Sequence, residues 1–107
     1  MSDTSPTTVV ADHAAHGAAA ELLRALANPH RVAIVVELGH GERCVHELVE
    51  ALGVPQPLVS QHLRVLRDER LVSGRRRGRE VAYVLTDQHV AHIVGDAVAH
   101  ATEKEQP

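Results

Sequence analysis

Four side chains of types that bind metal ions lie near the carboxyl end of the chain, in two pairs. Asp87 and His89 form the first pair, and the second pair, His100 and Glu103, begins eleven residues after His89. In a helix, at about 100° and about 1.5 Å per residue, the two histidines would share a face but stand about 16 Å apart. One helix therefore cannot bring all four side chains to one ion. A second copy packed antiparallel would join each pair to the other pair of its partner, which predicts a homodimer with two symmetric metal sites.

The chemical types of these four ligands favour zinc. Two imidazoles and two carboxylates without a thiolate suit a four-coordinate ion of borderline softness, whereas arsenite, cadmium or lead would require several cysteines. Cobalt and nickel stay open as alternatives, because they often take more ligands. His92, one helical turn from His89, and the amino-terminal His13 and His16 could supply these. For His92, an ordinary place on the helix surface is the favoured interpretation.

The length and composition predict one small domain with a thin core. The chain has 107 residues, one Tyr and no Phe or Trp, so Leu, Val, Ile and Ala must fill its interior. Folding alone would be marginal, and burial of an apolar face against a partner again favours a dimer. Cys44 is the only cysteine. Because the chain also lacks a signal-like stretch and an apolar run of about 18 residues, we expect a cytoplasmic protein.

The basic residues are concentrated in one stretch of a chain that is acidic as a whole. The net charge is −3, yet seven of the eleven Lys and Arg residues fall between Arg64 and Arg79. Such a local positive patch is typical of a surface that contacts phosphates. Charge alone does not distinguish such a surface from the alternative, a solvated, arginine-rich turn that binds nothing.

Composition and apolar spacing divide the chain into an arm and a folded domain. We expect residues 1–17 to form a flexible arm, rich in Ser, Thr and Pro at its start, and residues 18–107 to form the domain. A first helix from Ala18 ends at Asn28-Pro29, where proline interrupts it, and a second helix covers Pro29–Leu38.

The third and fourth helices are expected to form a helix-turn-helix. Val45–Leu52 ends at Gly53, and the fourth helix opens at Pro55-Gln56-Pro57, where a proline suits the first turn, and extends to Arg67. Its outward face would present donors and acceptors for base edges and phosphates. The residues on that face are Gln56, Ser60, Gln61, Arg64 and Arg67.

A β-hairpin is expected next, because β-branched stretches flank a turn that contains glycine. Leu71–Gly74 and Val81–Leu85 would be the strands, and Arg75–Glu80 the turn. The arginines expected near its tip are Arg76, Arg77 and Arg79. A helix-turn-helix followed by such a hairpin indicates a winged helix, whose fourth helix enters the major groove while the hairpin contacts phosphates. The expected fold is mainly α with a small β-hairpin: four helices, two strands and a fifth helix.

Four segments carry a family resemblance. They are Leu23–Asn28 followed by Pro29-x-Arg31, Cys44–Leu48, Val59–Arg67, and Gly78-Arg79-x-x-x-Tyr83. Over about Ala18 to Glu103 the chain resembles the ArsR/SmtB family of metal-responsive bacterial repressors, and its nearest likeness is to the zinc-sensing branch. In that family the fifth helix carries an interchain zinc site with the pattern Asp-x-His and His-x-x-Glu or His. The four residues described first fill every position of this pattern.

The resemblance implies a zinc-responsive repressor. The metal-free dimer would bind an inverted-repeat operator in double-stranded DNA, and zinc at the paired fifth helices would stabilise a dimer shape that binds DNA poorly. The alternative is a winged-helix regulator that responds to nickel, cobalt or another effector and whose metal is structural. We expect that the protein is not an enzyme. The sequence has no His-Glu-x-x-His motif, no Ser/His/Asp arrangement in a supporting context and no glycine loop that could cradle a phosphate.

The resemblance also suggests a second candidate metal site. Cys44 begins the third helix, where the helix dipole favours a thiolate, and Glu47 lies one turn on. In some family members these positions bind metal together with ligands from the partner's amino-terminal arm, for which His13 and His16 are the candidates. His46 stands where the arsenic-sensing pattern has a second cysteine, which argues against sensing by thiolates alone. The favoured interpretation is a buried or idle Cys44 beside a disordered arm.

Overall fold

Five helices and three short strands make up the structure, a computed structural model that describes the backbone of residues 6–103 and the side chains of residues 12–103. In chain order they are α1 (Pro6–Leu26), α2 (Pro29–Gly39), β1 (Arg43–Cys44), α3 (Val45–Leu52), α4 (Gln56–Asp68), β2 (Val72–Arg77), β3 (Glu80–Leu85) and α5 (Gln88–Glu103). This order confirms the winged helix-turn-helix that the sequence predicted, with the addition of β1.

The first helix begins earlier than the sequence predicted. Residues 6–17, which we expected in a flexible arm, belong to the helix α1, while residues 1–5 lie outside the described part of the chain. Pro6 suits the first turn, where its missing N–H costs nothing, and the three alanines of this stretch favour a helix. All side chains from Asp12 to Ala20 are exposed. No apolar stripe marks this stretch, so hydrophobic spacing could not predict it.

Helices α2, α3 and α4 surround the core, within a residue or so of the predicted bounds. Asn28 caps α2, because its side-chain oxygen accepts the backbone N–H groups of His30 and Arg31 at 2.9 and 3.2 Å. The inward side chains of these helices are fully buried and pack with the start of β2. The largest of the fully buried aliphatic side chains are Ile34, Val35, Leu48, Val59, Leu63, Leu66, Leu71 and Val72.

The sheet has three antiparallel strands in the order β1-β3-β2. The predicted turn over Arg75–Glu80 is wrong: β2 runs to Arg77, β3 starts at Glu80, and only Gly78 and Arg79 form the turn. Gly78 adopts φ +67°, which favours glycine and permits so tight a connection. The two-residue strand β1, which the sequence did not predict, pairs Cys44 with Ala82. We call β2, β3 and their turn the wing.

The last helix is anchored at its start by Asp87 and on one side by apolar contacts. Asp87, which we expected inside the helix, precedes it and accepts the N–H of Val90 at 3.2 Å. Val90 and Val94 are buried where α5 packs against α2. None of the helices within residues 6–103 combines the length and apolarity needed to cross a bilayer.

Candidate metal centre and nucleic-acid interface

Asp87 and His89 lie side by side at the start of α5. The His89 Nδ1 atom is 3.6 Å from the Asp87 Oδ1 atom, and the two side chains are 87% and 51% exposed. The backbone N–H of Val90 holds the same carboxylate in place. The helix start thus presents one imidazole and one oriented carboxylate to the surroundings, a pair that could supply half of a four-ligand site.

His100 and Glu103 occupy the other end of α5, and both are exposed. The helical rise puts them about three turns from His89, so the chain alone keeps the two pairs apart. Accordingly, no group of three or more His, Cys, Asp and Glu side chains within the described residues lies close enough to hold an ion. The donor types fit a zinc site, provided that a second chain supplies the missing pair. His92 is also exposed and lies between the pairs.

The residues of the second candidate site are not assembled in the structure. Cys44 is 1% exposed, and burial raises the pKa of its thiol, helped by the side chain of Glu80, while the Arg77 guanidinium opposes the rise. Burial thus opposes the thiolate that the helix start would favour, in agreement with the favoured interpretation of a buried Cys44. Glu47 already accepts the backbone N–H of Cys44 at 2.7 Å. The remaining ligands of this hypothesis, His13 and His16, are exposed on α1.

One face of α4 is polar and exposed, as the sequence predicted. Its five members, expected to contact DNA, are all exposed: Gln56, Ser60, Gln61, Arg64 and Arg67. Val59, Leu63 and Leu66 on the opposite face are at most 2% exposed. The core therefore holds α4 with its donors and acceptors outward, an arrangement suited to the major groove.

The wing arginines fall into two groups. Arg76 and Arg79 are exposed, and no ion pair involves either of them among the side chains described. Arg75 and Arg77 both pair with the carboxylate of Glu42, at 2.6 and 3.0 Å. Glu42 was not predicted as a functional residue, because it is 33 and 35 residues away from these arginines along the chain and no local pattern reveals the contact.

A buried histidine ties α4 to the first two helices. Arg31 donates through Nε to the Ala25 carbonyl at 2.6 Å, and its Nη1 lies 3.3 Å from His62 Nδ1. Because arginine can only donate, Nδ1 must accept and the ring is neutral with its proton on Nε2. Burial lowers the pKa of His62, and the charges of Arg31 and His30 lower it further. Arg31 and His62 both lie in segments that carry the family resemblance, but no role was predicted for either.

An apolar surface joins α1 and α5. Leu23 and Ile93 are 53% and 37% exposed, large values for apolar side chains of their size. They border a pocket of about 190 Å³, whose other lining residues are Leu26, Ala27, Val32, Val94 and Ala97. An exposed apolar patch on the two terminal helices of a small domain is typical of an interface with another chain.

Comparison with known proteins places the chain among bacterial regulators. Residues 28–73, from the start of α2 to the start of the wing, match the family described as bacterial regulatory protein, arsR family. The HTH-type transcriptional repressor SmtB of Mycobacterium tuberculosis is 66% identical over 86 residues, which are 80% of this chain and 64% of that repressor. The match thus spans less than two thirds of that relative. The HTH-type transcriptional regulator NmtR of the same organism is 43% identical over 84% of this chain and 75% of its own length.

The solved structures that resemble this fold include a dimer. The solution structure of the homodimeric winged helix-turn-helix DNA-binding domain of a possible ArsR-family transcriptional regulator from Mycobacterium bovis superposes with a TM-score of 0.80. It is 28% identical in sequence and covers 99% of this chain and 94% of its own. The likeness therefore includes the terminal helices α1 and α5 as well as the helix-turn-helix.

Proposed function

Because the chain belongs to the ArsR family of bacterial regulatory proteins, we propose that it is a transcriptional repressor that zinc releases from DNA. It would act as a homodimer on an inverted-repeat operator in double-stranded DNA, in the cytoplasm, and it would not be an enzyme. The observation that carries the proposal is the pair of half-sites on α5: Asp87 with His89 at its start, and His100 with Glu103 at its end.

The dimer would be formed by the terminal helices. The exposed apolar patch that includes Leu23 and Ile93 lies on α1 and α5, and its burial would remove apolar surface from water. A solved structure of the same fold that is described as homodimeric supports the formation of a dimer. If two copies of α5 pack antiparallel, the twofold axis joins the two half-sites of different chains. The metal site and the dimer are then one proposal, since neither pair of ligands is sufficient alone.

The chemistry of the ligands supports zinc. Asp87, His89, His100 and Glu103 would hold the ion, with two neutral imidazole nitrogens and two carboxylates as donors. Bound zinc would neutralise the charges of the two carboxylates, and it would cross-link the two chains at both ends of α5. The residues themselves contribute orientation: the helix start fixes Asp87 through the N–H of Val90.

DNA would be bound by the exposed face of α4 and by the wing. The α4 face carries amide, hydroxyl and guanidinium groups that suit base edges, and the helix-turn-helix matches the family over this region. A dimer presents two such helices to successive major grooves, which explains the expectation of an inverted-repeat operator.

Regulation requires metal binding at α5 to be coupled to DNA binding at α4. Helix α5 packs against α2, and α2 packs against α4, so a shift of one α5 relative to its partner has a route of direct contacts to the DNA-binding helix. Coupling is reciprocal, so operator should weaken zinc binding by the factor by which zinc weakens operator binding, typically about 5- to 150-fold.

A metal titration of operator release tests the proposal. A duplex selected from a random pool by the metal-free protein would be titrated with zinc, cobalt and nickel in separate experiments, with anisotropy as the readout. We expect zinc to lower the affinity for the duplex and the other two ions to act more weakly. Unchanged affinity at zinc concentrations that saturate the protein would exclude regulation by zinc, and a stronger response to nickel or cobalt would favour the alternative effector.

A further inference from the structure

The carboxylate of Glu42 receives hydrogen bonds from two arginines of the wing. Arg75 donates to Oε1 through Nε at 3.0 Å and through Nη2 at 2.6 Å, and Arg77 donates to Oε2 through Nη1 at 3.0 Å. Glu42 directly precedes β1 and its side chain is only 23% exposed. One partly buried carboxylate on the body of the domain thus holds two cations of β2.

Arg77 is bound more extensively than Arg75. Its Nη2 atom lies 3.0 Å from the Sγ atom of Cys44 and 3.5 Å from the Oε1 atom of Glu47. The guanidinium therefore spans the end of β1 and the first turn of α3. A single exposed ion pair contributes little, but a guanidinium with several acceptors in a fixed arrangement is held more firmly. The lowered pKa of Glu42, caused first by Arg75 and then by Arg77, agrees with this network.

Strand alternation places Arg76 on the opposite face of the wing. Arg75 and Arg77 are two residues apart in β2 and share a face, while Arg76 points the other way. Gly74 identifies that other face, because a Cβ atom there would lie 2.9 Å from Val81 and 3.2 Å from Tyr83. Gly74 and Arg76 therefore share a face with these two β3 residues.

The face that carries Arg76 is the one beside α4. Val81 and Tyr83 line a groove of about 310 Å³ together with Gln56, the first residue of α4, and with Val45, His46 and Glu80. Arg76 is paired with Val81 in the strand register, so it extends from the sheet next to this groove. Arg79 belongs to the turn at the tip and is exposed.

We propose that Glu42 sorts the wing arginines into two classes: Arg75 and Arg77 hold the wing on the body of the domain, and Arg76 and Arg79 contact DNA phosphates. This inference rests on the proposed DNA binding and refines it. It reassigns Arg77, which the sequence grouped with the DNA contacts, to a positioning role. Glu42 is a positioning residue as well, because it acts on DNA only through the wing.

The dependence of DNA affinity on salt distinguishes the two classes. Each phosphate contact contributes about 0.9 to the slope of log affinity against log salt, so loss of one contact per subunit flattens the slope of a dimer by about 2. We would compare Arg75→Ala, Arg76→Ala and Arg79→Ala on a duplex selected from a random pool by the unmodified protein, at several KCl concentrations. Arg75 and Arg76 are adjacent residues of one strand, which makes each the control for the other.

We expect Arg76→Ala and Arg79→Ala each to flatten the slope by about 2, and we expect Arg75→Ala to leave it unchanged because Arg77 still holds the wing on Glu42. Equal flattening by Arg75→Ala, or an unchanged slope for Arg76→Ala, would overturn the assignment. Failure of the unmodified protein to select any duplex would instead refute DNA binding itself.

A second measurement tests the positioning role without DNA. In Glu42→Gln the amide hydrogens of β2 and β3 should exchange faster than in the unmodified protein, while those of α2 stay the same. Glutamine keeps the size of the side chain but removes the charge that both arginines share. Unchanged exchange in the two strands would show that Glu42 does not hold the wing.

Discussion

The Nδ1 atom of His89 lies 3.6 Å from the Oδ1 atom of Asp87, although the two side chains belong to different structural elements, a helix and the turn before it. The turn brings them together because the Asp87 carboxylate caps the helix through the N–H of Val90. Half of the proposed metal site is therefore already arranged in each chain. Its completion depends on a partner, and the first two predictions concern that dependence.

Replacement of His100 by alanine should uncouple DNA release from zinc. Replacement of a residue that only supports a metal ligand typically lowers metal affinity by about 10- to 100-fold. Loss of a ligand itself should therefore lower it by at least that much. The variant should still dimerise and bind the operator, but zinc should no longer release it. Calorimetric zinc titration and duplex anisotropy would measure the two effects. His92→Ala, which removes an exposed histidine of the same helix, is the control and should behave like the unmodified protein.

Replacement of Ile93 by glutamate should weaken the dimer by about 100-fold or more, because a carboxylate would have to lose its hydration at an apolar interface. Sedimentation velocity over a range of concentrations would measure the change. Ala51→Glu adds the same charge at an exposed position of α3 and should leave the dimer intact. Equal dimerisation of Ile93→Glu and the unmodified protein would contradict the assignment of α5 to the interface.

Replacement of Arg64 by alanine should weaken operator binding while zinc affinity stays the same. Loss of a base or phosphate contact costs about 1–3 kcal/mol, which corresponds to about 5- to 150-fold in affinity. Arg24→Ala, on the exposed surface of α1, removes the same charge away from the α4 face and should have little effect. Undiminished affinity of the Arg64 variant would exclude this residue from the interface.

His62 should make the folded protein less stable as the pH falls. Its pKa is lowered in the folded state, by burial first and then by Arg31 and His30, so the unfolded chain binds a proton more readily. The stability that this group contributes is complete above the ordinary histidine pKa of about 6.5 and is lost as the pH falls through the lower folded-state pKa. Urea unfolding at several pH values should therefore show a weaker pH dependence for His62→Gln below neutral pH. Parallel pH profiles would contradict the prediction.

Replacement of Leu66 by alanine should destabilise the protein by about 2–5 kcal/mol, because Leu66 is fully buried and its removal leaves a cavity. Gln61→Ala on the opposite, exposed face of α4 should change the unfolding free energy by about 0.5 kcal/mol or less. Denaturant unfolding measures both values. Similar losses in the two variants would mean that α4 is turned differently from the orientation described.

The predicted elements were right where local signals were strong. Proline marks the starts of α2 and α4, and glycine marks the ends of α2 and α3. The apolar spacing of Val59, Leu63 and Leu66 marks the buried face of α4. The predicted start of α1 was wrong because the first turns of this helix carry no apolar stripe. The strand β1 was missed because two residues are too few for a pattern, and its pairing with β3 joins residues far apart in the chain.

The amino-acid sequence by itself determined the winged helix-turn-helix, the outward face of α4, and the types and spacing of the four proposed ligands, since all of these depend on residues close to one another along the chain. Only the tertiary structure decided that the Cys44 thiol is buried with a raised pKa and that Glu42 holds Arg75 and Arg77. The physical reason is that burial and ion pairing depend on neighbours in space. Glu42 and Arg77 are separated by 35 residues and meet only once the wing is folded onto β1.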